Sequence, residues 1–98
     1  MTNKEQHKAI QKISQDGYYL RRMYESCNTK AQVNSVNHLC AFLSSHNWRF
    51  IIRQFGLHDS IVVSHCKNDL LHDLSVIEQQ TLERIEKTIE ELKRRMMR

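Results

Sequence analysis

The sequence predicts an all-α fold: a small four-helix bundle with long first and last helices packed roughly antiparallel, assembled as a homodimer. Three observations lead there. In the closing stretch Ser75–Arg98, Leu82, Ile85, Ile89, Leu92 and Met96 recur at alternating spacings of three and four, the seam of an amphipathic helix. Near the start, Ile10, Ile13, Gly17, Leu20, Tyr24 and Cys27 keep a similar rhythm. The chain holds two glycines and no proline, and it is rich in strong helix formers. With 98 residues it forms one domain, 1–98, whose modest core oligomerisation would help. An apolar stripe about 33 Å long must be covered by the rest of the chain or by a second copy.

The first helix is expected from an Asn3 cap to about Cys27. Gly17 sits where a small residue lets another helix approach, although Asp16-Gly17 could also be a turn. Asn28-Thr29 closes that helix and caps the next, whose seam is Val33, Val36, Cys40 and Leu43, widened by Leu39 and Phe42. The polar run Ser44-Ser45-His46-Asn47 predicts a break, because short polar side chains compete for the backbone. Trp48, Ile51, Ile52 and Phe55 then form a short third helix, with Gly56 as a left-handed C-cap and Leu57 as its latch. The alternative is α+β, with a hairpin at about 48–66, since both arms are rich in β-branched and aromatic residues. Asp59 or Ser60 can start the last helical stretch. Its inward phase slips between Ile77 and Leu82, beside a capping-box pattern at Ser75 and Glu78. The stretch is therefore one helix with a stutter or two hinged near Asp73–Ser75.

Charge is uneven. Residues 1–58 hold eight Lys/Arg against three Asp/Glu, a net +5; residues 59–92 hold three against eight, a net −5; Lys93, Arg94, Arg95 and Arg98 add +4. Cys27, Cys40 and Cys66 are odd in number and lack CxxC spacing, so free thiols in a cytoplasmic setting are expected. No apolar run reaches membrane-spanning length, and the N-terminus lacks a secretory pattern.

No catalytic, nucleotide-binding or cofactor signature is present, so the sequence predicts a non-enzyme without cofactors. The leading expectation is a regulatory or inhibitory protein that docks a helical face onto a protein partner. Trp48 and Phe50 would anchor that contact, with Arg49, Arg53, Arg94 and Arg95 at its rim. Met96 and Met97 could extend the surface, or simply end the seam and fray. The alternative is a DNA- or RNA-binding regulator using Lys4, Lys8, Lys12, Arg21, Arg22, Arg49 and Arg53. Residues 37–56 could then form a helix-turn-helix, although Ser45, His46 and Gln54 fit that motif poorly. His65, Asp69 and His72 would share a helical face and are a weak metal-ligand set, matching no zinc signature.

Overall fold

The chain reverses direction twice, once after Ser26 and once after Phe55, and is helical nearly everywhere else. A computed structural model describes residues 3–97. Helix α1 spans Asn3–Ser26, α2 Lys30–Phe42, α3 Trp48–Gln54 and α4 Ile61–Met96, with a π-helical turn at Leu43–Asn47 joining α2 directly to α3. Among the described residues there is no strand, so the hairpin alternative at 48–66 does not form. The last helix is described to Met96, and Arg98 lies outside the described residues.

Three rods therefore stand where four helices were expected. The polar run Ser44–Asn47 does not break the second rod. Ser44 and Ser45 instead donate their hydroxyls to the Ala41 carbonyl at 3.2 and 2.7 Å, while the backbone stays helical on both sides. The Trp48 N–H reaches back five residues to Leu43, the mark of one extra residue in a helical turn. That insertion rotates Trp48 onto the stripe already carrying Val33, Val36, Cys40 and Leu43. Asn47 is left outside.

With only two reversals, the first and last rods must point the same way. Ser14 lies beside Cys66, Gly17 beside Leu70, and the end of α1 beside Arg84, so positions rise together along both helices. The antiparallel expectation is corrected to parallel: α1 and α4 run one way, packed directly on each other, and the α2–π–α3 rod runs back alongside both.

Local chemistry explains both reversals. Thr29 caps α2 through a reciprocal box with Gln32. Gly56 sits at φ 63°, with Gly56 N–H bonded to Arg53 and Leu57 N–H to Ile52 at 2.8 Å, closing α3 in a Schellman turn whose latch Leu57 is buried. Ser60 then caps α4 through the Val63 N–H. No hinge forms at Ser75, which lies inside an unbroken 36-residue helix. The apparent phase slip is a polar patch on one continuous inward stripe: Thr81 is buried with its hydroxyl on the Ile77 carbonyl, and Glu78 accepts from Asn37.

Ile13, Leu20, Trp48, Leu57, Val33 and Val63 are the largest fully enclosed side chains. Gly17 lies within α1, as the unbroken apolar phase predicts, and a Cβ there would stand 2.5 Å from the Leu70 methyls. Backbone and side chain meet there because glycine leaves the room. Above it, α1 has no basic residue in its own last turn; Arg84 of α4 supplies the charge, donating to the Cys27 carbonyl at 2.6 Å and the Glu25 carbonyl at 3.3 Å.

The buried Asp16 carboxylate accepts from the Trp48 indole at 3.0 Å and from Lys12 at 3.2 Å. Replacing Trp48 by Phe keeps a ring in the core but removes one donor from that carboxylate. Chemical denaturation should register a loss of about 1–3 kcal/mol. Trp48→Ala should cost more, about 3–5 kcal/mol, because a cavity adds to the lost bond.

Candidate docking surface

Rotating Trp48 inward determines what faces outward. On the solvent side of the middle rod, Leu39, Phe42 and Phe50 are 36, 53 and 66% exposed. The Phe42 ring stacks on His46 with centroids 4.7 Å apart and planes 19° from parallel, and the His46 Nδ1 lies 2.9 Å from the Ser45 hydroxyl. His46 also borders an open depression of about 510 Å³ that Asn47, Arg49, Phe50 and Arg53 complete. The π turn thus puts Phe42, His46 and Phe50 on one exposed side, the first two stacked and the last two bordering the same depression. Such turns are frequent at functional sites.

Electrostatics sharpen this face. No Asp or Glu occurs between Glu25 and Asp59, and neither Arg49 nor Arg53 forms an ion pair among the described residues. The rod is apolar and cationic with no counter-charge of its own.

The residues expected to bind a partner do not form one site. Phe50, Arg49 and Arg53 come together at the depression. Trp48 does not join them: it is fully buried and bonded to Asp16, so it is core rather than anchor. Arg94 and Arg95 lie far away on α4. Trp48 meets α1 at Asp16, one residue before the Gly17–Leu70 crossing, and Arg94 is about 36 Å farther along α4 at 1.5 Å per residue. Met96 and Met97 are exposed beside them at that distant end.

The basic face of α1 is partly neutralised within its own helix. Lys12 pairs with Asp16, Arg21 with Glu25 at 2.8 Å, and Arg22 donates to the Tyr18 hydroxyl at 2.9 Å while lying over its ring. Lys4 and Lys8 are exposed. Residues 37–54 run as one uninterrupted rod, so the reversal that a helix-turn-helix needs near Ser45 is replaced by the π-helical stretch Leu43–Asn47. His65, Asp69 and His72 are exposed on one continuous helix. Among the described residues no three His, Cys, Asp or Glu side chains gather to hold a metal ion.

No protein-family model matches the chain, and no curated protein or solved structure is similar to it.

The outward placement of Leu39 and Phe42 was missed because both were read as widening the buried seam. Their positions, together with 46, 50 and 53, trace a second stripe that starts at the edge of Val36, Cys40 and Leu43 with Leu39 and turns outward at Phe42. A five-residue step from Leu43 to Trp48 was the available signal.

A second polar cluster is internal. The Tyr24 hydroxyl donates to the Asn37 side chain at 2.6 Å, and Asn37 in turn donates to Glu78 at 3.0 Å, tying all three rods together. Burial, then the neighbouring Cys40 and Glu78, push the Tyr24 phenol well above its ordinary value. Burial likewise pushes the Cys27 and Cys40 thiols up, the reverse of an activated nucleophile. A phenol whose pKa is raised by folding keeps its stabilisation below the unfolded value of about 10 and loses it as pH climbs beyond. Absorbance at 295 nm should therefore show a late phenolate component, arriving with alkaline unfolding and absent in Tyr24→Phe.

Proposed function

We propose that this chain is a small non-enzymatic regulatory protein that binds an acidic, apolar segment of a partner protein along the outward face of its middle rod. The observation behind this reading is the exposed side chains Leu39, Phe42 and Phe50, bordered by Arg49 and Arg53 on a rod with no acidic residue. Aromatic side chains in a row contribute apolar area at little entropic cost, and unneutralised guanidinium groups orient a carboxylate-bearing ligand. Inhibition or regulation follows from what such docking covers on the partner.

The runner-up is nucleic-acid binding through Lys4, Lys8, Lys12, Arg21, Arg22, Arg49 and Arg53. In its favour, Lys4 and Lys8 extend an exposed basic stripe along α1. Against it, three of the five basic residues on α1 are already engaged by Asp16, Glu25 and Tyr18.

The two readings separate experimentally. Captured from nuclease-treated host extract, the chain should retain a protein partner. Titration of that purified partner should weaken by about 2 kcal/mol or more in Phe42→Ser/Phe50→Ser. The melting temperature should be nearly unchanged, because both rings are already mostly in water. Loss of capture on nuclease treatment, with affinity for a defined duplex or single strand falling steeply with salt, would favour the runner-up instead. A partner held equally well by the double variant would remove this face from the account.

A further inference from the structure

Beyond Glu86 the last helix leaves its own bundle. The final links to neighbouring rods are Arg84 on the Cys27 carbonyl and the Lys30–Glu86 ion pair at 3.3 Å, and every described residue from Glu86 onward is exposed. Residues 87–97 then project by about 16 Å. A lone helix of that length is marginal in water.

The projection carries the inward stripe with it. After the buried Ile85 come Ile89, Leu92 and Met96, spaced four, three and four, and 41, 51 and 85% exposed. The sequence stripe is thus covered by its own chain only through Leu82 and Ile85. Charge along the same stretch runs from mostly acidic to wholly basic: Glu83, Glu86, Glu90 and Glu91, interspersed with Arg84 and Lys87, precede Lys93, Arg94 and Arg95. Of these, Glu86 flanks the stripe at its base and Lys93 toward its tip, while Lys87 lies on the far side. A surface acidic at its base and basic at its tip complements itself when reversed. Parallel pairing would instead set cationic tips side by side.

We propose that this projection binds the projection of a second copy of the chain, antiparallel about a two-fold axis. Self-complementarity is what such an isologous contact requires. Placing Ile89 across from Leu92 of the second copy sets Lys93 of that copy beside Glu86, whose exposed carboxylate it would share with Lys30, and each relation repeats by symmetry. The same register brings Met96 level with Ile85 of the other copy, beside the turn at 27–29 that closes its bundle. The apolar layer is short, so the dimer is a reversible one. It displays two copies of the middle-rod face at opposite ends.

Sedimentation equilibrium of the full chain between about 1 and 200 µM should show a monomer–dimer equilibrium. Leu92→Glu should raise its dissociation constant about tenfold or more. The melting temperature at dilute concentration should be unchanged, since Leu92 lies beyond the bundle. For orientation, Ile89→Cys and Leu92→Cys chains are mixed under mild oxidation and the crosslinks identified by mass spectrometry. Disulfides joining position 89 of one chain to 92 of the other should dominate over 89–89 and 92–92. A monomer at every concentration, a dimer indifferent to Leu92→Glu, or a preference for like-to-like crosslinks would each overturn the proposal.

Discussion

The bond between the Trp48 indole and the Asp16 carboxylate holds the architecture in register. A carboxylate taken out of water is tolerable only with good partners, and this one has the indole on one oxygen and Lys12 on the other. Satisfying it fixes the rotation of the middle rod against α1 at the same level where Gly17 admits Leu70 of α4. All three rods are referenced to that point. Farther along, Tyr24, Asn37 and Glu78 repeat the device, and among the described residues no buried side-chain nitrogen or oxygen is left without a partner.

What faces outward follows from this register. Because Trp48 must reach Asp16, the rod carries an extra residue in the turn Leu43–Asn47. That residue in turn places Phe42, His46 and Phe50 on one exposed side. A core requirement and a surface feature thus share one cause. The proposed docking face is the outer side of the adjustment that completes the interior.

The sequence made the helices legible wherever the periodicity was clean. The α1 seam, the Thr29 cap, the Gly56 turn with its Leu57 latch, and the close approach at Gly17 were all readable from residue type and spacing. Rod count and direction were not. Ser44 and Ser45 look like helix breakers, yet their hydroxyls fold back onto Ala41 and let the backbone continue. Glu78 and Thr81 look like an interruption of the inward stripe, yet Asn37 and the Ile77 carbonyl satisfy them. In each case the deciding partner lies on another turn or another rod, beyond the reach of local propensity. Trp48 shows the same limit: aromatic bulk alone did not distinguish a core residue from a surface anchor, and the distant Asp16 did.

Arg84 has a bearing on how the molecule is made. The carbonyls ending the first helix are held by a side chain nearly sixty residues downstream. During translation the leading segment and the returning rod leave the ribosome without that clasp, and their shared greasy side stays open until the final third emerges. Most of the wall that covers it, Val63, Leu70, Leu74, Ile77 and Ile85, lies on that same last helix, so completion of the core waits on its synthesis.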